Sequence, residues 1–265
     1  MPNSKIQKLR EILLSYGKIA IALSGGSDSS VLLTLAAKTL GKDNCLALSV
    51  HTPYMRGSES AAAKGLCSNL GVKLEIENMQ IPDEILSNPP DRCYICKSKI
   101  FSAIKRRANY LGYEILADGT NASDLSDYRP GMKALAELKI RSPFLESGIG
   151  KEDIFKIAKD LGVEVAPASA CLMTRFAHGE NITPQKLGAV DKAEEFVSSL
   201  GYPGCRVRMR GNYATLELQN LKAIDDFSNT DDFKKISAEI KRLGLGILSS
   251  QVREYSRGSM NIETQ

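Results

Sequence analysis

Leu23-Ser24-Gly25-Gly26-Ser27-Asp28-Ser29-Ser30 is the stretch on which the reading of this chain turns. Before it, Lys18 to Leu23 (KIAIAL) is a short apolar, β-branched run. After it, VLLTLAAKTL is apolar at helical spacing. Strand, tight polar turn and helix is the local reading. Two adjacent glycines let the backbone approach a ligand without a Cβ clash. Ser27, Asp28 and Ser29 stand where the helix begins, so its N–H groups and positive dipole end converge on one spot suited to phosphate. A Walker A loop needs a Lys after its last glycine, and a dinucleotide fingerprint needs a third glycine further on. This loop has neither.

The totals set the frame. At 265 residues the chain is long enough for a full core and two domains. Apolar content of 43% and charged content of 25% are those of a soluble globular protein. No apolar run reaches transmembrane length and no signal-peptide core opens the chain, so the expectation is a cytoplasmic protein with no membrane partner. A net charge of +4 suits anionic substrates such as nucleotides and does not call for nucleic acid. Six cysteines in such a chain argue against a disulfide framework and for metal or sulfur chemistry.

Outward from the loop, residues 4–15 form an amphipathic helix and 18–23 the first strand. A helix follows to about Leu40, a second strand spans Cys45 to Val50, a helix runs from Arg56 to Leu70, and a third strand covers Lys73 to Glu77. Glu114 to Ala117 is a fourth strand, followed at once by Asp118-Gly119-Thr120-Asn121. Strands alternating with helices predict a parallel sheet with right-handed crossovers and helices on both faces. Ligands of such sheets sit at the carboxyl ends of the strands, where SGGSDS, the His51-Thr52-Pro53 turn and DGTN all fall. The pattern changes between about Val165 and Thr183. A helix over Pro184 to Leu200, a hairpin over Arg206 to Leu218 around Gly211-Asn212, a helix over Phe233 to Leu243 and a strand over Ile247 to Val252 then suggest a small α+β domain. The fold class is α/β, with domains at 1–171 and 172–265.

Cys93 and Cys96 form a CxxC within NPPDRCYICK, at or just before a basic helix. Thiolates at i and i+3 converge on one centre, and a helix N-terminus with Arg92 and Lys97 favours their ionisation. Cys171 lies in a small-residue turn before Arg175. Cys45 and Cys67 read as core thiols, and Cys205 is left open. Zinc would need a fourth ligand, His178 or Cys205. A redox dithiol would leave Cys171 unexplained, and an iron–sulfur cluster on three thiolates would keep one iron open. Spacing alone favours zinc; an ATP-activating loop in the same chain shifts the balance toward sulfur chemistry.

SGGxDS at a first strand–helix junction resembles the pyrophosphate loop of the PP-loop ATP pyrophosphatases, whose fold is adenine nucleotide alpha hydrolase-like. NPPDRCYICK, DGTNASDLSDYRPGMKALAEL, IRSPFLESGIGKEDI, PASACLMTRFAHGENIT and RVRMRGNYATLEL together resemble the LarE family of ATP-dependent, often sacrificial, sulfur transferases. The resemblance runs from the loop to about Asp225. It implies adenylation of a carboxylate on a pyridinium dicarboxylate mononucleotide, a small-molecule substrate, and displacement of AMP by sulfur in making a nickel-pincer nucleotide. Ser24, Gly25, Gly26, Ser27, Asp28, Ser29 and Ser30 would cradle the phosphates of ATP, with Asp28 also placing Mg²⁺. Asp118, Gly119, Thr120 and Asn121 would line the nucleotide side, although a plain Asx turn explains DGTN alone. Arg129 would clamp phosphate or AMP. Some members spend the sulfur of one cysteine and finish as dehydroalanine; others hold a [4Fe-4S] cluster. Three cysteines favour the cluster version here, with Cys93, Cys96 and Cys171 as ligands and catalytic thiols. Thr174, Arg175, Arg206 and Arg208 would grip the substrate phosphate, and Glu194, Glu217 and Asp225 would face the substrate or a metal. As residues alone, Arg206, Arg208 and Glu217 alternate like an exposed strand face. Thr174 departs mildly from the Ser of many relatives. The family also implies a homo-oligomer and leaves the sulfur donor open.

Two other functions fit the same motifs. A cluster-dependent tRNA thiolase shares the ATP loop and cysteines but needs a basic RNA surface, and Lys105-Arg106-Arg107 is the sole dense cluster in the sequence. A non-catalytic ATP-gated iron–sulfur or nickel carrier would bind ATP without releasing pyrophosphate. An amidating synthetase would need an ammonia source, and no glutaminase nucleophile is evident.

Overall fold

A computed structural model describes residues 2–126, 131–164, 170–219 and 227–255. The chain divides into two compact units. One comprises Met1–Thr52, Gly57–Gln80 and Asp91–Ala168; the other comprises Pro53–Arg56, Ile81–Pro90 and Ser169–Gln265. The sequence reading places one cut, at 171/172; the compact units part instead at Ala168/Ser169, and two short upstream segments group with the C-terminal one.

The first unit is built on β1 (Ile19–Ala22), β2 (Cys45–His51), β3 (Lys73–Asn78) and β4 (Leu116–Ala117), all parallel, in the order β3-β2-β1-β4. Its helices are α1 (Pro2–Tyr16), α2 (Ser27–Leu40), α3 (Gly57–Leu70), α4 (Arg92–Tyr110), α5 (Gly131–Glu137), α6 (Pro143–Glu146) and α7 (Lys151–Leu161). Side chains alternate across a strand, and here both faces are covered. Ile19, Ile21, Cys45 and Ala47 pack with Leu9, Leu13, Val31, Leu32, Leu35, Ile154 and Ile157 on one face. Ala20, Leu46 and Leu48 pack with Phe101, Ile104 and Leu135 on the other. β1 and β2 therefore read as near-continuous apolar runs, whereas β3 (KLEIEN), at the sheet edge, is polar and part-exposed. α5, α6 and α7 occupy a stretch to which the sequence reading assigns no element.

Strand order reverses between β1 and β4, because β2 and β3 lie on one side of β1 and β4 on the other. Ligands of doubly wound sheets collect at the carboxyl ends flanking such a reversal. SGGSDS leaves β1 and DGTN leaves β4, so the two motifs belong to neighbouring strands.

In the second unit α8 (Pro184–Ser199) is capped by Thr183, whose hydroxyl accepts from Lys186 N at 3.2 Å, with Pro184 in the first turn. β5 (Arg206–Arg210) and β6 (Tyr213–Leu218) form the expected antiparallel hairpin. α9 (Asp231–Arg242) is capped by Thr230. Of the last strand expected over 247–252 only the first two residues form one, and a further short strand lies just beyond it. β7 (Ile247–Leu248) and β8 (Arg253–Glu254) both pair parallel with β6, and between them Gln251 N turns back to the Ser249 hydroxyl. Leu187, Val190 and Val197 of α8, Val207, Leu216 and Leu218 of the hairpin, and Ile236 and Ile240 of α9 are buried.

Candidate functional site

At the end of β1 the loop folds on itself. Ser24 N and Gly26 N donate to the Ser29 and Ser24 hydroxyls at 3.3 Å, and Ser29 Oγ donates to Gly26 O at 3.1 Å. Gly26 is the N-cap of α2 and brings no side chain to its first N–H groups. Gly25 has φ +80°, and a Cβ there would collide with the Glu59 carbonyl of α3, so only glycine fits. Gly119 matters for a different reason. A Cβ on it would stand 2.8 Å from Ser29 N and 3.0 Å from the Asp28 carbonyl carbon, so its bare backbone lets the DGTN turn lie against the start of α2.

DGTN does contain an Asx-type turn. Thr120 N and Thr120 Oγ1 donate to the two Asp118 oxygens at 3.2 and 2.5 Å, and Ser142 Oγ donates to Asp118 at 2.7 Å. Asn121, fully buried, goes further, and its Nδ2 donates to Asp28 Oδ2 at 3.3 Å. The other Asp28 oxygen receives Lys151 Nζ at 2.5 Å. Lys151 is the first residue of α7, placed by Lys151 N donating to the Ser123 hydroxyl at 3.0 Å and by Asp153 accepting from Gly150 N at 3.2 Å. Lys151 is not among the site residues expected from the sequence, although it lies within the GKEDI motif. The available signal is a Lys at a helix start, just after a glycine and just before two acids.

A helix N-terminus behind a glycine N-cap, a close glycine backbone and a lysine next to Asp28 fit a triphosphate. Each Asp28 oxygen accepts one protein donor and keeps a second lone pair, so the carboxylate fits the Mg²⁺ role expected of it. Arg129, the expected AMP clamp, lies outside the described residues.

The cysteines separate by burial. Cys93 is exposed and Cys96 half-buried on the first turn of α4 in the first unit, while Cys171 is exposed in the second. Among the described residues, no three His, Cys, Asp or Glu side chains stand together as a metal group. The three-thiolate ligand set for a [4Fe-4S] cluster that the resemblance implies draws its members from both compact units. Cys45 and Cys67 are core thiols whose pKa burial pushes up to about 11. Cys205 is also buried, and its Sγ donates to Glu194 O at 3.4 Å.

The second unit holds a buried charge network. Arg175, with no exposed surface, meets Glu194 in a two-pronged pair, Nε to Oε1 at 2.9 Å and Nη2 to Oε2 at 3.0 Å. Glu194 also pairs with Arg56 and accepts Val207 N at 2.9 Å. Arg208 Nε donates to Glu217 at 2.9 Å, and Arg206 Nη1 donates to the Gly204 and Cys205 carbonyls at 3.0 and 2.8 Å. Arg206, Arg208 and Glu217 are thus 3–7% exposed, not an outward strand face. Burial, and behind it Arg206, Arg56 and Arg208, pulls the Arg175 guanidinium below the ordinary arginine pKa. Asp191, near Arg56, is held above the ordinary carboxylate value by burial, which outweighs that cation. Asp225 lies outside the described residues. Elsewhere, Lys105-Arg106-Arg107 is not an open basic face. Lys105 Nζ donates to Leu138 O at 2.5 Å and Arg107 pairs with Glu75 and Glu77.

A loop-and-turn site of this kind at the reversal of a parallel sheet defines an ATP-binding PP-loop protein, and the PP-loop domain family matches residues 2–126. The chain is 33% identical to an uncharacterised protein of Synechocystis sp. over 98% of both chains. It is 30% identical to the pyridinium-3,5-bisthiocarboxylic acid mononucleotide synthase of Lactiplantibacillus plantarum over 92% of this chain and 89% of that one. A more distant relative, a glutamine-hydrolyzing GMP synthase component of Archaeoglobus fulgidus, is 27% identical over 74% of this chain and 68% of its own. The chain belongs to the LarE family of ATP-dependent sulfurtransferases.

Proposed function

We propose that the protein adenylates a carboxylate of a pyridinium dicarboxylate mononucleotide and converts it to a thiocarboxylate, as the name of the L. plantarum relative suggests. The carrying observation is the meeting of Asn121 and Lys151 on Asp28, with Gly119 against the start of α2. In this reading the N–H groups of the loop and Lys151 take the β- and γ-phosphates. A carboxylate oxygen of the substrate attacks the α-phosphorus, the P–O bond to pyrophosphate breaks, and pyrophosphate leaves. The acyl carbon then carries AMP, a far better leaving group than oxide.

Cys171 is the sulfur source in this reading. Its thiolate displaces AMP to give a thioester. Loss of the Cα proton and cleavage of the Cβ–Sγ bond then leave a thiocarboxylate on the substrate and dehydroalanine at position 171. What supports Cys171 is its exposure in a turn pinned by charged donors.

The test is anaerobic purification with iron and sulfide analysis, then turnover with ATP and pyridinium-3,5-dicarboxylic acid mononucleotide. Iron-free protein that forms thiocarboxylate and loses the elements of H₂S at position 171 supports the proposal. Iron and sulfide retained by wild type and lost in Cys93→Ala, Cys96→Ala and Cys171→Ala would replace it with the cluster route. ATP binding without pyrophosphate release would leave only a carrier.

A further inference from the structure

The family resemblance implies that Arg175 grips the substrate phosphate; its surroundings assign it elsewhere. The guanidinium has no exposed surface, and Nε and Nη2 clasp the two oxygens of Glu194. The remaining nitrogen, Nη1, reaches back along its own chain to Ala170 O at 2.8 Å, Thr174 Oγ1 at 3.0 Å and Cys171 O at 3.3 Å. The Cys171 carbonyl also accepts the Thr174 hydroxyl at 2.7 Å and the Thr174 N–H at 2.9 Å. One backbone oxygen therefore collects three donors. On the far side of the turn, Arg208 Nη1 holds Thr174 O at 3.0 Å, and Leu172 N donates to Tyr54 O at 3.3 Å.

We propose that Arg175, locked by Glu194, is a positioning residue: it fixes the backbone turn that presents the Cys171 thiol, and does not hold substrate phosphate. The proposal rests on the reading that Cys171 supplies the sulfur. Bonds from a charged donor are about twice as strong as neutral ones, and a buried guanidinium cannot turn to a ligand without abandoning its carboxylate. A misplacement of about 1 Å at a reacting atom costs on the order of 10²-fold in rate. The many bonds on one turn serve to prevent such a shift. Thr174 shares the task, because its hydroxyl is both acceptor from Arg175 and donor to Cys171 O.

Arg175→Lys keeps the charge and loses the fork; Thr174→Val loses the hydroxyl, and Thr174→Ser restores it. Thermal melts first establish that each variant folds. The pH profile of iodoacetamide alkylation at Cys171 is then read by mass spectrometry, with Cys93 of the same molecule as reference. Single-turnover thiocarboxylate formation and the KM for pyridinium-3,5-dicarboxylic acid mononucleotide complete the set. Arg175→Lys and Thr174→Val should shift the Cys171 profile and not that of Cys93. They should slow single-turnover sulfur transfer about tenfold or more at unchanged KM, and Thr174→Ser should resemble wild type. A raised KM with an unchanged Cys171 profile would overturn the proposal in favour of a phosphate grip. Should Arg175→Lys fail to fold, the Thr174 pair decides. Unimpaired sulfur transfer by Cys171→Ala would sink the underlying reading alone, since the alkylation profiles would still report whether Arg175 sets the turn.

Discussion

The edge of the parallel sheet and the interior of the C-terminal unit solve opposite problems. Around SGGSDS and DGTN the working groups are mostly backbone: helix N–H groups, bare glycines and small hydroxyls, with Asp28, Asn121 and Lys151 as the side chains that matter. In the C-terminal unit the working groups are long charged side chains taken out of water, and the backbone is what they hold. Glycine geometry makes room for an anion to enter. Paired charge makes a turn stay where it is. The two regions should therefore fail differently, the first in ligand affinity and the second in stability.

The sharpest break in that contrast is Glu194→Gln. It removes the one carboxylate shared by Arg175 and Arg56, so the buried Arg175 loses its paired carboxylate while Arg56 keeps Asp191. Breaking such a pair costs about 3–5 kcal/mol, which urea unfolding would show as a large drop in midpoint. A loss near that of an exposed pair such as Lys234–Asp231, about 0–1 kcal/mol, would mean that the network is not a structural device.

Lys151→Met probes the other side. A charged hydrogen bond contributes about 1.5–3 kcal/mol, so pyrophosphate release should fall roughly 10- to 100-fold with the urea midpoint nearly unmoved. A variant that lost stability but kept pyrophosphate release would make Lys151 a mere partner for Asp28. Gly119→Ala comes next. Its new methyl must push the DGTN turn off Ser29 N, at a cost of about 1–3 kcal/mol, and nucleotide affinity, measured by calorimetry, should fall with it. Undiminished affinity would show that the turn can lie further from α2 than the structure has it.

The same contrast explains what the sequence discloses. A backbone-built site is written in residue types: paired glycines after an apolar strand have few other uses, and strands buried on both faces show as unbroken apolar runs. Side-chain networks leave no such mark. Arg206, Arg208 and Glu217 alternate along a hairpin as solvated residues do, and only the partners supplied by Thr174 and the cross-strand register reveal that they are buried. Lys151 escaped notice for a related reason, since its partner lies 123 positions away. α5 and α6 are hidden by their shortness, whereas α7, at eleven residues, has an ordinary helical length and carries Ile154, Ile157 and Ala158 on its buried face. The three-thiolate ligand set is legible only in part, because a CxxC spacing fixes a pair and says nothing of where a third cysteine stands.

The smallest expected effect concerns the thiols that neither region uses. Cys45 opens β2 and Cys67 sits on α3, and burial lifts both from 9.0 to about 11. Below pH 9 these thiols are protonated in folded and unfolded chains alike. Between pH 9 and 11 the unfolded chain ionises them while the folded chain does not, so the unfolded state gains and stability falls as pH rises through that window. Tyr16 and Tyr113, also raised by burial, act in the same direction at higher pH. The paired variant Cys45→Ala/Cys67→Ala isolates the thiol part. Its urea midpoint should start lower, from the lost packing, and decline less steeply between pH 9 and 11 than that of wild type. Alkylation gives the companion reading at about pH 8: Cys93, Cys96 and Cys171 react in the folded protein, while Cys45, Cys67 and Cys205 wait for unfolding. Equal alkaline slopes together with early labelling of Cys45 would mean that the sheet opens locally beside the phosphate loop, and the rigid-edge half of the comparison would have to be abandoned.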